Sequence, residues 1–183
     1  MKNREFKIIA AQSNIDWTGR KVTGSHNGTI SLKEGSLILD GDRLLNGRFV
    51  VDTTSIKVLD ITDPATNAQF AGHLASNDFF GSDEYPEALF VINSAEQGEE
   101  NTYRINGNLT IKEITHPIVF DASLYVKDGI LSASGKIHVD RTRYNMKFRS
   151  GNFFQNLGDN LIYNDFELAV TVVAEEVAEL VTV

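Results

Sequence analysis

With 183 residues, 42% of them apolar and 23% charged, the chain can bury one substantial core, and its length suggests a single domain over residues 1–183. It has no cysteine, which excludes disulfide staples and thiolate metal sites. A net charge of -8, spread rather than blocked, argues against a nucleic-acid surface, because counterion release needs clustered Lys and Arg.

At the start of the chain the longest apolar run is Ile8 to Ala11, below the roughly 7–15 residues of a signal-peptide core. A cytoplasmic protein is therefore expected, or a periplasmic one if this is a trimmed mature form. Nothing approaches the roughly 18 apolar residues of a membrane-spanning helix, so no integral membrane segment is expected. From there the dominant signal is period-2 alternation broken by turn dipeptides, the mark of antiparallel sheet. Gly24-Ser25-His26 reads as a turn. Ile30 and Leu32, then Leu37 and Leu39, lead to Asp40-Gly41, where a hairpin is expected, and Leu45, Gly47, Phe49 and Val51 then share a face.

The pattern changes from about Thr62 to Pro86. Asp63-Pro64 supplies an N-cap and a proline at the first helical position, so a short helical insert is expected between about residues 63 and 80. Tyr85-Pro86 forces extended geometry before the next strand. Tyr103, Ile105, Gly107, Leu109 and Ile111 alternate with polar residues. Ile118, Phe120, Ala122, Leu124 and Val126 form another face, Lys127-Asp128-Gly129 turns the chain, and Leu131, Ala133, Gly135, Ile137 and Val139 return. Phe166, Leu168, Val170 and Val172 make the last strand, and Ala174 to Val183 reads as an amphipathic helix or a frayed tail.

About eight such segments make an all-β fold, and alternation alone does not separate a barrel from a sandwich. Gly47, Gly107 and Gly135 each interrupt an apolar face, which favours the curvature of barrel closure or missing side chains that leave a lumen. The doublets Phe79-Phe80 and Phe153-Phe154 lie in Gly- and Asn-rich surroundings. Adjacent strand residues point to opposite faces, so both doublets suggest aromatic loops at a barrel end. The histidines, His26, His73, His116 and His138, match no metal-ligand spacing, and no nucleophile elbow or phosphate loop is present, so no cofactor, metal or catalytic residue is expected.

One ordered set of motifs resembles a known family. It comprises His73-Leu74-x-Ser76-x-Asp78-Phe79-Phe80, Tyr85-Pro86 with Ala88 and Phe90, Ile105-x-Gly107-x-Leu109-Thr110-Ile111 through Thr115-x-Pro117-Ile118, Asp140-Arg141-Thr142 with Tyr144, and Gly158-Asp159 before Phe166-Glu167-Leu168. In that order, from about Ile15 to Val173, the chain resembles the YceI-like family of lipocalin-like polyisoprenoid-binding proteins. Trp17-x-Gly19, Gly24-Ser25-His26-x-Gly28 and Phe153-Phe154-x-Asn156-Leu157-Gly158-Asp159 are similar to a subgroup common in Bacteroidota. Asn145 stands where many relatives carry glycine.

The resemblance implies an extended eight-stranded antiparallel lipocalin-like barrel with a core over about residues 15–173. It also implies an apolar channel for a polyisoprenoid, isoprenoid quinone or fatty-acid-like lipid, and a possible homodimer. The expected lining is Trp17, Phe49, Phe90, Gly107, Leu109, Gly135, Phe153, Phe154 and Phe166, with His73, Lys21 and Arg141 as polar contacts. A filled barrel serving as a structural or stress-related interaction module, and a small-molecule enzyme, are the alternatives.

Overall fold

The computed structural model describes residues 3–151, 157–158 and 161–178. The strands are β1 (Asn3–Ile8), β2 (Asn14–Lys21), β3 (Gly24–Asp40), β4 (Arg43–Val58), β5 (Glu87–Gln97), β6 (Thr102–Ile111), β7 (Ile114–Lys127), β8 (Ile130–Asp140) and β9 (Ile162–Glu176), with one helix, α1 (Pro64–Ala75). All pairings are antiparallel, in the order β2-β9-β8-β7-β6-β5-β4-β3, and the β3–β2 pairing closes an eight-stranded barrel. β1 is not a ninth stave. It pairs with the end of β3 (Phe6↔Leu37) and the end of β9 (Phe6↔Glu176), so β1 and β2 are two halves of one stave interrupted by a 3-10 turn at Ala10–Gln12.

The two ends of this barrel differ. At one end lie the tight hairpins Gly41-Asp42 and Asp128-Gly129, with φ of 61° at Gly41 and of 53° and 76° at Asp128 and Gly129. The last pair is the doubly left-handed turn that matches strand twist. Phe6, Leu39, Leu131 and Ala174 are fully buried there. Across that end Arg4 donates Nε and Nη2 to Glu176 at 2.8 and 2.9 Å and Nη1 to Asp42 at 2.8 Å. The Leu44 N–H and the Asp42 carbonyl meet Tyr103 Oη. This end is closed by apolar packing with a polar staple.

The opposite end carries α1 and the loops around it. Asp63 caps the helix by accepting from the Thr66 N–H at 2.9 Å, as expected from Asp63-Pro64. The chain then turns through Ser76 to Gly81, and the Ser82 hydroxyl donates to the Thr53 carbonyl, anchoring that turn to β4. A second 3-10 turn, Arg141–Tyr144, ends at Asn145 with φ 60° and ψ 34°. The left-handed bend is therefore made without glycine, by one of the residue types that tolerates it.

Three local expectations are corrected. A bulge at Leu45, between the pairs Ile38↔Asn46 and Leu39↔Leu44, turns Leu44 inward, where it is 1% exposed, in place of Leu45. Gly24-Ser25-His26 is the first turn-free stretch of β3; the hairpin lies at Val22-Thr23. Of the stretch Ala174 to Val183, residues 174–176 continue β9 as strand, and residues 179–183 lie outside the described residues. Among the described residues no helix is long and apolar enough to cross a membrane.

Candidate functional site

The barrel interior holds two cavities in series. The inner one, about 120 Å³, is bounded toward the closed end by Leu37, Leu44, Tyr103, Leu124 and Val172, and along its walls by Phe49, Phe90 and Phe120. The outer one, about 370 Å³, sits beneath α1 and the loops of the helical end. Ile15, Val51, Leu109 and Leu168 line both. These four come from β2, β4, β6 and β9, so the shared wall is a ring of aliphatic side chains around the barrel axis. The alternation that put one apolar face on each strand is what points these residues at one another.

The expected lining residues fall into distinct places. Phe49, Phe90 and Gly135 line the inner cavity, Leu109 lines both, and Trp17 and Phe166 line the outer one. The ring of Phe90 lies between those of Phe49 and Phe120, at 6.0 and 5.6 Å between centroids. Gly107 faces the Phe90 ring and lines neither cavity. Phe153 and Phe154 lie outside the described residues. Phe79 and Phe80 both line the outer cavity, and the doublet sits in a turn, which lets both rings face it.

His73, Lys21 and Arg141, placed far apart in sequence, all reach the outer cavity. His73, near the end of α1, stands edge-on to Phe79 and Phe148 at 5.1 and 4.6 Å, with Nε2 3.0 Å from Asp78 Oδ2. Arg141 is 3% exposed. Its Nε, Nη1 and Nη2 donate to the carbonyls of Tyr163, Met146 and Ile162 at 3.0, 2.6 and 3.1 Å, tying the 3-10 turn to β9. Burial lowers its affinity for its proton, with Asp140 opposing. Lys21 is exposed at the rim, paired in register with Ile162.

Several polar lining residues were not anticipated. The His26 ring lies tilted against that of Phe70 of α1, 4.7 Å between centroids, and its Nδ1 lies 2.7 Å from Asp60 Oδ2. Burial alone would raise the Asp60 carboxyl, but hydrogen bonds from the Asn27 N–H and the His26 ring outweigh it and hold the group below the usual range. His26 shares its strand face with Gly28, Ile30 and Leu32, a signal that alternation could have used. Arg20 and Arg149 also line the cavity. They lie where the β2–β9 register jumps from Gly19↔Phe166 to Lys21↔Ile162 and in an irregular loop, where no periodicity exists to place them. Among the described residues no group of three or more His, Asp and Glu is placed to hold a metal ion.

The YceI-like domain family matches residues 6–174. Among curated proteins, the UPF0312 protein of Pseudomonas putida (strain W619) is 36% identical over 122 residues, 65% of this chain and 61% of that protein. That of Photorhabdus laumondii is 31% identical over 97 residues, 53% of this chain and 47% of that protein. The chain thus spans about half to three fifths of these relatives. Two solved structures share the fold. Burkholderia cenocepacia BcnA has a TM-score of 0.71 at 17% identity, covering 89% of this chain and 96% of that one. A polyisoprenoid binding domain from Saccharophagus degradans has a TM-score of 0.68 at 11% identity, covering 93% and 97%. With a closed eight-stranded barrel, one short helix and a family match over nearly its whole length, the chain belongs to the YceI-like family.

Proposed function

We propose that this protein binds, without converting it, one long-chain apolar ligand inside the barrel: a polyisoprenoid, an isoprenoid quinone or a fatty-acid-like lipid. The observation that carries the reading is the pair of cavities sharing the ring of Ile15, Val51, Leu109 and Leu168, closed at one end and reaching α1 and its loops at the other. A volume of about 370 Å³ for the outer cavity alone falls in the roughly 300–1,000 Å³ range of ligand sites. An extended chain suits two chambers in line better than a compact molecule does. Each methylene moved from water to this lining is worth about 0.8 kcal/mol, so the tail supplies the affinity and the mouth the orientation. The Saccharophagus neighbour, a polyisoprenoid binding domain, supports the same reading by fold.

Native mass spectrometry of the purified protein, after incubation with a bacterial total-lipid extract, tests this. A discrete added mass that organic extraction removes and identifies is expected. Protein that stays ligand-free across the extract overturns the reading.

A further inference from the structure

We propose that the lipid taken by this barrel carries an anionic head, a carboxylate or a phosphate, held at the helical mouth by Lys21, Arg141 and Arg149. The proposal rests on the lipid-binding reading above and adds the chemical class of the head group.

The chain is acidic, with 17 basic and 25 acidic residues, yet the outer cavity reverses that balance. Among the described residues, Arg20, Lys21, Arg141 and Arg149 line it, against Asp165 alone of the acids. Three acids next to the mouth are already engaged. Asp78 lies against His73, Asp60 against His26, and Glu167 takes Arg20 at 3.5 Å and Lys136 at 2.9 Å. Lys21, Arg141 and Arg149 have no carboxylate within ion-pair distance among the described residues.

The three residues that carry these charges meet around one residue of β9, Arg141 through its side chain and the other two through their backbone. Ile162 accepts from Arg141 Nη2 at 3.1 Å, donates its N–H to the Arg149 carbonyl at 2.9 Å, and is the register partner of Lys21. Aromatic rings complete the cluster: Arg141 lies 5.8 Å from the Phe79 ring, Arg149 lies 5.0 Å from that of Phe148, and the two rings are 5.9 Å apart. A guanidinium has five N–H donors, and Arg141 directs three to carbonyls, leaving donors on a buried cation that Asp140 favours only from beyond ion-pair distance. A buried charge of that kind favours a counter-ion brought by the ligand. The closed far end fixes the polarity of binding. Phe6, Leu39 and Leu131 seal it, so the tail enters from the mouth and the head stops among the cations.

The test titrates the full chain at low ionic strength with hexadecanoate, hexadecyl phosphate and hexadecan-1-ol, which share one tail. At least one anion is expected to bind about tenfold or more tightly than the alcohol, and that gap should shrink with added salt. In the double variant Lys21→Gln/Arg149→Gln the gap narrows. A carboxylate preference assigns a fatty acid and a phosphate preference a phosphorylated lipid, and either supports the proposal. If the alcohol binds as tightly as both anions, or if the double variant keeps the full gap, the head assignment is overturned while lipid binding stands. If none of the three binds to folded protein, the head assignment is overturned, and the total-lipid experiment above decides lipid binding by itself.

Discussion

The ring of Phe90 lies on Gly107: a Cβ at Gly107 would stand 2.6 Å from Phe90 Cε2 and 2.4 Å from the Val91 carbonyl oxygen. Phe90 pairs with Leu109 and reaches diagonally over Gly107, an aromatic side chain filling the space a strand glycine leaves. That ring is also a wall of the inner cavity, so the glycine shapes the cavity through its neighbour.

Gly107→Ala should therefore destabilise the fold by about 1–3 kcal/mol, the usual cost of overpacking. The alanine's entropic advantage in the unfolded chain, about 0.4–1 kcal/mol, is smaller. The backbone carbonyl of Val91 cannot rotate away as a side chain can. Gly135→Ala is the contrast, since its nearest atoms would lie at 3.2–3.5 Å, and its midpoint in urea should stay close to that of the parent. Equal midpoints for the two variants would remove the distinction.

How far the site could be read from sequence follows from where periodicity operates. Alternation placed Phe49, Leu109, Gly135 and Phe166 on inward faces because a strand leaves no choice once one face is buried. It failed at Leu45 because a bulge inverts the parity, and a bulge leaves no residue signature there. The strand β1 holds one fully buried residue, Phe6, too few to form a pattern. The gathering of Arg20, Lys21 and Arg149 depends on a register jump in β9 and on a loop. Such features arise from tertiary closure, which no local spacing encodes.

Filling the inner cavity should cost affinity for the tail without costing the fold. Ala133 lines it, opposite Leu124 and Val172 in register. In Ala133→Phe, a ring that displaces two methylenes removes about 1.6 kcal/mol of transfer free energy, more than tenfold in Kd. Fluorescence displacement with a long-chain probe measures this, with circular dichroism as the check on folding. Undiminished affinity would mean that the tail stops short of the inner cavity.

The β6–β7 turn joins strain to a buried charge. Lys112 and Glu113 both have positive φ, 54° and 62°, without being glycine or asparagine. Lys112, 7% exposed, donates Nζ to the carbonyls of Asn77 and Asn145 at 2.8 and 3.0 Å, pinning the turn after α1 to the Asn145 bend. Lys112→Met would strand two carbonyls at roughly 1–3 kcal/mol each and loosen that end. Glu113→Gly should instead stabilise by up to about 1 kcal/mol, because glycine accepts the left-handed conformation without steric cost. Denaturant midpoints of opposite sign for the two variants are expected.

Arg141 serves three carbonyls from one planar group. Arg141→Lys keeps the charge, yet an ammonium is a point donor and cannot span Tyr163, Met146 and Ile162 at once. The variant should lose about 1–3 kcal/mol, roughly one carbonyl left without its donor, and amide exchange should accelerate at residues 161–164 before it does in β6 or β7. Uniform acceleration across the barrel would assign Arg141 to global packing, not to the mouth.

Acid should open the closed end first. The hydrogen bond and charge of Arg4 hold the Glu176 carboxyl below its ordinary value of 4.5, against a smaller opposing effect of burial. A carboxyl depressed on folding binds fewer protons in the folded than in the unfolded chain, so its stabilisation is complete above about 4.5 and is lost as pH falls through the folded value. Arg4 stays charged throughout that window. Since Arg4 and Glu176 join β1 to β9, the protection of β1 amides, measured against their intrinsic exchange rate at each pH, should fall below that pH while β5 to β7 keep theirs. Glu176→Gln removes the titrating group, so its β1 amides should be less protected than the parent's at neutral pH and their protection should change little on acidification. If both proteins lose β1 protection alike on acidification, the pair does not hold that stave.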